Sequence, residues 1–190
     1  MFAFKKKYFL IIESIKDFEL KNIKKNNKFI IIYRRNNKQI ENIEDLQRFR
    51  KKCLLKGFKF FVANNIQLTI LLKADGLYIS AYNKSYKCLF LKRSKYLIIG
   101  SAHNTSEIQY KIKQGCKHIL LSRLFKVNYD SDDSFLGIIK FNNFVKVSKK
   151  IIPLGGINSS NLNTLKNIIS EGFALMTEIK KKPAISSRLF

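Results

Sequence analysis

Eight short apolar runs of strand length recur along the chain at nearly regular spacing, and they restrict its fold more than any other feature. Most are continuously apolar, which is typical of strands buried on both faces of a parallel sheet. The runs are YFLIIES (8–14), KFIIIYR (28–34), FKFFVA (58–63), DGLYIS (75–80), KYLIIGS (95–101), KHILLS (117–122), KIIPLG (150–155) and FALMT (173–177).

Segments with helical periodicity separate several of these runs. Residues 42–57 place an apolar set on one face and end at Gly57, a residue suited to a C-terminal cap. Residues 104–115 begin with Asn104 or Thr105 as N-cap and end at Gly115. Further helices are predicted over 65–73 and over 158–172, the latter ending at Gly172. The apolar set of the first helix is Ile43, Leu46, Phe49, Cys53 and Leu54, and that of the last is Leu162, Leu165, Ile168 and Ile169.

Alternation of strands and helices predicts right-handed βαβ units. Eight such strands favour an α/β fold of the (βα)8 TIM-barrel type, with an open doubly wound sheet as the alternative. Some helices must be short or missing, after residue 14 and around 84–94. The 190 residues fit one domain spanning 1–190, because no linker or shift in composition marks a boundary.

The segment IIPLGGINSSNL (151–162) contains the only adjacent glycine pair, Gly155 and Gly156. In a barrel it forms the seventh strand and the following loop, where phosphate often binds. Two glycines would let an anion approach backbone N–H groups, and a helix starting near Asn158 would direct its positive end there. The alternative is a strand-to-helix corner that needs positive φ.

The formal charge of +24 would suit a nucleic-acid or anionic-membrane partner. However, the lysines are dispersed, and they accompany abundant Ile and Asn, which is the bias expected of a coding sequence rich in A and T. We favour that bias, because the usual nucleic-acid-binding motifs are absent. The charge would still attract small anionic substrates to a cleft.

Cysteine spacing and hydropathy indicate which classes of protein this chain does not resemble, namely disulfide-rich, zinc-binding and membrane-spanning proteins. The three cysteines, Cys53, Cys88 and Cys116, show neither disulfide nor zinc-ligand spacing, so we expect free thiols, with Cys53 and Cys116 buried. No window approaches the roughly 18 uncharged apolar residues of a membrane span. The first residues lack a signal-peptide cleavage pattern, so a cytoplasmic protein is expected.

Several segments together resemble the thiamine-phosphate synthase family, which also contains a thiazole tautomerase branch. They are FIIIYRRNN, GFKFFVANNIQLTILLKADGLYIS, IIGSAHNTSEI, QGCKHILLSRLF, LGIIKF and IIPLGGINSSNL. The resemblance covers roughly residues 28 to 180 and depends on order and spacing. It implies a (βα)8 barrel that joins hydroxymethylpyrimidine pyrophosphate to thiazole phosphate, giving thiamine phosphate and pyrophosphate. The small phosphorylated substrates would be its partners, and self-association is a further possibility.

The resemblance also implies roles for individual residues. Ser101 matches a serine near the pyrimidine and pyrophosphate, and Arg34 matches an arginine that holds pyrophosphate. The remaining substrate-binding or phosphate-binding positions are Asn64, His103, Arg123, Lys126, Gly155, Gly156, Met176 and Thr177. A helix-start residue packed against a neighbour is an equal alternative for His103. Arg123 stands where the tautomerase branch has a histidine.

The chain departs from the family at the metal site. The resemblance implies Mg²⁺, yet the positions of its carboxylates fall on Asn65 and within Ser80–Ser85, where no acid occurs. An amide binds Mg²⁺ far less strongly than a carboxylate. Arg34, Arg35, Arg123 and Lys126 could neutralise pyrophosphate instead. Asp130, Asp132 and Asp133 could supply a displaced metal site, although a solvated loop is the favoured interpretation.

Three functions remain open at this point. The favoured one is a divergent thiamine-phosphate synthase. The second is a catalytically weak phosphate-binding or regulatory member of the family, and the third is a basic nucleic-acid-associated protein. The presence of the glycine turn, the Ser-x-His segment and Arg34 together favours the enzyme.

Overall fold

Eight parallel strands close into a barrel in which each strand pairs with its sequence neighbours and β8 pairs with β1. The computed structural model describes residues 6–17, 19–20, 27–35, 41–127 and 134–176. The strands are β1 (Lys7–Ile12), β2 (Phe29–Tyr33), β3 (Lys59–Ala63), β4 (Gly76–Ile79), β5 (Leu97–Ala102), β6 (His118–Ser122), β7 (Ile151–Leu154) and β8 (Gly172–Leu175). All eight predicted strands and the closed barrel are confirmed, which removes the open sheet.

Over the described residues the outer layer is incomplete, as predicted. Its helices are α1 (Ile43–Leu55), α2 (Ile66–Leu71), α3 (Leu89–Lys92), α4 (Thr105–Lys113) and α5 (Gly137–Val147). Only 3₁₀ turns occur at Ile15–Asp17, at Tyr86–Cys88 and at Leu162–Asn167. The helix α5 was not predicted, and it fills the connection between β6 and β7.

The predicted helix over 158–172 is wrong. The Asn161 side chain accepts from the Asn158 N–H at 2.9 Å and donates to the Gly156 carbonyl at 2.7 Å. Such local bonds compete with helical ones, so the segment forms turns before the 3₁₀ stretch Leu162–Asn167. Gly172 begins β8 and does not end a helix. The expectation that a helix at Asn158 directs its dipole at the glycine turn therefore fails.

The apolar faces of two predicted helical segments were only partly right. On α1, Leu46, Phe49 and Cys53 are buried, while Ile43 and Leu54 are 48% and 63% exposed. In the last segment Leu162, Leu165 and Ile168 are buried, and Ile169 is 61% exposed. The caps of the other helices agree with prediction, because the Asn104 side chain caps α4 and Gly57 and Gly115 adopt positive φ after α1 and α4.

Two apolar layers hold the barrel together. The outer layer joins alternate strand residues to helix residues such as Leu46, Phe49 and Ile108. The inner layer consists of strand residues alone and fills the lumen: Phe9, Ile11, Ile30, Ile32, Phe61, Tyr78, Ile99, Leu120, Ile152 and Ala174. The interior is thus a packed core, and a ligand site must lie at a barrel end. All three cysteines are free, as expected, and Cys88 is buried as well as Cys53 and Cys116.

Candidate active site

The carboxyl ends of the strands form one mouth of the barrel, and the predicted site residues gather there. Because all strands are parallel, the residues that follow them share this end. They are Arg34 after β2, Asn64 after β3, Ser101 and His103 on and after β5, Arg123 and Lys126 after β6, Gly155 and Gly156 after β7, and Met176 after β8. Thr177 lies outside the described residues, as do Asp130, Asp132 and Asp133.

Arg34 is held by the ends of two other strands. Its Nη2 lies 3.4 Å from Glu13 Oε1, beyond the end of β1, and 3.3 Å from Met176 Sδ, beyond β8. The side chains of Arg34 and Glu13 are 38% and 20% exposed, so the pair borders solvent. A guanidinium has five N–H donors, and several remain for an anion in the mouth.

The acids around β1 and β2 have structural partners. Asp17 Oδ2 accepts from the Glu13 and Ser14 N–H groups at 3.1 and 2.9 Å. Glu41 accepts from the Ile15 N–H at 2.6 Å and from the Tyr33 hydroxyl. Burial, and secondarily Glu41, raises the pKa of Tyr33. These carboxylates therefore stabilise residues 13–15, the segment that follows β1, by accepting from its N–H groups.

Ser101 is buried beside a second hydroxyl inside the barrel. Tyr78, in the inner layer on β4, forms a side-chain hydrogen bond with Ser101. Burial raises the pKa of Tyr78, while the hydrogen bond with Ser101 and the charge of Arg34 act in the opposite direction. The positive charge of Arg34 thus acts on the Tyr78 hydroxyl of this pair.

Asn64 links the end of β3 to the segment after β4. It adopts a positive φ of 55°, a conformation that asparagine tolerates better than most residues. Its Nδ2 donates to Ser80 Oγ at 2.5 Å and to the Tyr82 hydroxyl at 3.1 Å. Its Oδ1 accepts from the Ser80 N–H at 3.0 Å and from Asn83 Nδ2 at 3.2 Å. The amide is therefore fully engaged within the protein.

The residues at the expected metal position do not fit Mg²⁺. Asn65 Oδ1 accepts from the Leu68 N–H at 2.8 Å, which makes this side chain the N-cap of α2. Within the described part of the chain, no group of three His, Cys, Asp or Glu side chains could hold a metal ion. Mg²⁺ prefers carboxylate and water ligands in octahedral geometry. Neither Asn65 nor the segment Ser80–Ser85 supplies a carboxylate.

The glycine turn after β7 packs directly on the loop after β6. Gly155 and Gly156 have φ values of 94° and 68°. A Cβ on Gly156 would collide with the carbonyl oxygens of Phe125 and Lys126. Among the hydrogen bonds of the described residues, neither glycine N–H is a donor. The turn thus combines a packing requirement for glycine with two N–H groups that donate no hydrogen bond among the described residues.

Arg123 and Lys126 belong to the same corner. A Cβ built on Gly155 would lie 3.4 Å from Arg123 Cα, so this arginine adjoins the turn. Arg123 is half-buried, whereas Lys126 is exposed. The corner therefore places a half-buried arginine next to the glycine turn.

His103 is ordered by its own helix. Its Nδ1 lies 3.1 Å from Glu107 Oε2, which also accepts from the His103 N–H at 2.7 Å. The side chain is 60% exposed. This contact agrees with the prediction of a helix-start residue packed against a neighbour, and the prediction of substrate contact stays open.

Three residues near the mouth were missed by the sequence reasoning. Glu13 was recognisable as the charged residue at the end of the first apolar run. Tyr78 was recognisable as a polar aromatic within a strand. Lys111 gave only a weak signal, as a lysine three residues after the apolar Ile108 of α4.

Residues 17–179 match the family described as Thiamine monophosphate synthase. The chain is 26% identical over 129 residues to a thiamine-phosphate synthase of Prochlorococcus marinus subsp. pastoris, covering 67% of this chain and 37% of that protein. It is 27% identical over 142 residues to that of Actinobacillus pleuropneumoniae serotype 7, covering 72% and 65%. The chain therefore spans less than two thirds of either relative.

A solved structure supports the fold. Thiamine phosphate pyrophosphorylase from Pyrococcus furiosus superposes with a TM-score of 0.71 at 14% identity, covering 100% of this chain and 98% of that one. Identity this low is informative about the fold alone. Among the described residues, no helix is long and apolar enough to cross a membrane.

Proposed function

Because this chain belongs to the thiamine monophosphate synthase family, we propose that it joins hydroxymethylpyrimidine pyrophosphate to thiazole phosphate, releasing pyrophosphate and giving thiamine phosphate. The observation that carries the proposal is the convergence of Arg34, Ser101 and the Gly155–Gly156 turn on one barrel mouth. These residues come from β2, β5 and β7, so only the closed barrel brings them together.

The residues divide the reaction between them. Arg34 stabilises the charge that develops on the departing pyrophosphate, an effect largest in a partly desolvated site. The Gly155 and Gly156 N–H groups, with Arg123 beside them, bind the thiazole phosphate. Ser101, held by Tyr78, orients the pyrimidine. Fixing both substrates in one geometry removes much of the entropic cost of their encounter.

No step is assigned to Mg²⁺, because the amides at the expected position do not fit it. The cations of the chain would neutralise pyrophosphate in its stead. Arg34 and Arg123 are partly buried, while Arg35 and Lys126 are exposed. Partly desolvated guanidiniums bind phosphate bidentately and more strongly than solvated lysines, so Arg34 and Arg123 carry most of this role.

The test is direct measurement of thiamine phosphate from the purified protein and both substrates, with EDTA and with Mg²⁺. Arg34→Met should lower the turnover at least about tenfold, the loss expected for one charged hydrogen bond, and Ser101→Ala should lower it about two- to tenfold, the loss expected for a neutral one. Arg48→Ala is the matched control, because Arg48 lies on α1 and forms an ion pair with Asp45 of the same helix. An inactive wild-type protein would refute the proposal.

A second candidate is a phosphate-binding member of the family without turnover. The amide at position 65 favours it, since this is the part of the site that departs from the family pattern. It predicts no product, together with a rise in melting temperature on adding thiazole phosphate. The same preparation therefore separates the two candidates.

We also propose a cytoplasmic location, supported by the phosphorylated character of the substrates, and cell fractionation would test it. Light scattering, which measures the molar mass in solution, would test self-association. Nucleic-acid binding, the weakest alternative, predicts an affinity that falls steeply with salt.

A further inference from the structure

The α4 lysine Lys111 is fully buried, with an exposed fraction of 0%. Its Nζ donates to the carbonyl oxygens of Ser80 and Asn83 at 2.8 and 2.7 Å, and to Gln114 Oε1 at 3.0 Å. No carboxylate accepts from this ammonium among the described residues. Three acceptors match the three N–H donors of the protonated form, whereas a neutral amine has two.

Charge on Lys111 is opposed by its surroundings. Burial lowers the pKa of Lys111, and Cys116, Cys88 and Glu107 counteract this shift. A buried cation normally acquires a charged partner, because desolvation is expensive. Here three neutral oxygen atoms of the protein accept from the ammonium in place of a charged partner, much as oxygen ligands surround a bound metal ion.

The aliphatic part of the Lys111 side chain packs against a glycine of the barrel wall. A Cβ built on Gly100, in the middle of β5, would lie 2.8 Å from Lys111 Cδ and 2.9 Å from Cys116 Sγ. The stem therefore lies against bare backbone and points toward the mouth. Gly100 and Lys111 form one packing unit.

The residue at the C-cap of α4 reinforces the attachment. Gln114 is also fully buried, and its Nε2 donates to the carbonyl oxygens of Asn83 at 3.0 Å and Ser85 at 2.8 Å. Between them, Lys111 and Gln114 bind three carbonyl groups of the segment 80–85. That segment has no regular secondary structure of its own before the turn at Tyr86–Cys88.

The same segment holds Asn64 from the other side. Ser80 and Asn83, whose carbonyls Lys111 binds, are also the residues that contact Asn64 Oδ1 through N–H groups. A continuous set of hydrogen bonds thus connects α4, behind the barrel wall, to a residue at the mouth. The amide oxygen of Asn64 is an acceptor within this set, and that of Asn65 accepts separately from the Leu68 N–H of α2.

We propose that Lys111 is a positioning residue whose buried ammonium fixes the segment 80–85, and through it Asn64, so that this corner of the mouth is organised without a divalent cation. The positioning of the segment 80–85 is argued from contacts alone, while its readout through pyrophosphate affinity rests on the proposed function. In this proposal the cation that organises this corner is the buried Lys111 ammonium, and not a bound metal ion.

The first experiment uses the unmodified protein. Amide hydrogen exchange is measured across residues 80–85 in EDTA and in excess MgCl₂. We expect equal protection in both, because the segment 80–85 contains no carboxylate, the ligand that Mg²⁺ prefers. Protection that rises about tenfold or more with Mg²⁺ would overturn the proposal.

The second experiment compares Lys111→Met with Lys113→Met, an exposed lysine on the same helix. In Lys111→Met, exchange at 80–85 should quicken by at least about tenfold relative to the core strand β6. The affinity for inorganic pyrophosphate should fall in parallel, while Lys113→Met changes neither. Faster exchange with unchanged pyrophosphate affinity would refute the positioning role.

If Lys111→Met does not fold, Gly100→Ala gives a milder displacement of the same stem, and the EDTA comparison decides independently. Failure of the wild-type protein to bind pyrophosphate would count against the proposed function. In that case the hydrogen-exchange measurements alone would decide whether Lys111 positions the segment 80–85.

Discussion

The guanidinium of Arg34 lies 3.4 Å from the Glu13 carboxylate, so a cation assigned to pyrophosphate at the end of β2 is oriented by an acid at the end of β1. Both side chains border solvent, and such a pair contributes less than about 1 kcal/mol to the free energy of unfolding. Its importance is therefore positional. Together with Met176 it fixes the direction of the guanidinium before a ligand arrives.

Replacing Arg34 tests this position by binding alone. Arg34→Met should weaken the affinity for inorganic pyrophosphate by about 10–100-fold, because a charged hydrogen bond contributes about 1.5–3 kcal/mol. Isothermal titration calorimetry measures the change. Arg48→Ala should bind as the wild type does, and equal affinities of Arg34→Met and the wild type would remove Arg34 from the site.

Gly156 and Gly137 offer a matched pair for the glycine turn. Both have a φ of 68°, yet a Cβ on Gly137 meets nothing within 4 Å, while one on Gly156 collides with two carbonyl groups. Gly137→Ala should cost about 1–2 kcal/mol of unfolding free energy for the left-handed backbone. Gly156→Ala should cost roughly 1–3 kcal/mol more, because its neighbours must move. Urea unfolding compares them, and equal losses would contradict the packing role.

The amino ends of the strands contain a pH-sensitive cluster far from the mouth. Burial, and then the charge of Lys7, lowers the pKa of His118 to about 4; Glu171 opposes the shift, and Lys117 and Lys59 add to it. His118 Nε2 lies 3.2 Å from Lys7 Nζ, and Lys7 Nζ lies 2.9 Å from Glu171 Oε1.

Since His118 binds its proton less readily when folded, its contribution is fully present above the unfolded value near 6.5. It is lost as the pH falls from there toward about 4. Melting temperatures measured across this range should decline on acidification, and His118→Gln should decline less. An identical pH profile in the two proteins would contradict the assignment.

The thiols should be inert in the native protein. Burial raises the pKa of Cys53 and of Cys116 to about 12, and it raises that of Cys88 as well. Because the thiolate is the reactive form, a thiol reagent near pH 8 should label native protein far more slowly than protein in denaturant. Rapid labelling of Cys53 or Cys116 under native conditions would show that these sites open.

The strands and most helix ends could be predicted from the sequence because their signals are local. Continuous apolar runs specify buried parallel strands, and Asn104, Gly57 and Gly115 mark helix ends through their own backbone and side-chain chemistry. The positions of Arg34, Ser101 and the glycine turn also followed, since parallel strands place their carboxyl ends at one mouth. The helix over 158–172 failed where Asn158 and Asn161 bonded locally.

Only the tertiary structure decided what surrounds these residues. That Gly156 packs on the Phe125 carbonyl and that Lys111 binds the segment after β4 are contacts between distant parts of the chain. Sequence periodicity carries no information about such contacts, because it reports burial and not partners. The sequence by itself therefore determined the barrel and the end at which its candidate site lies. Packing decided which oxygens and cations at that end already have partners within the protein.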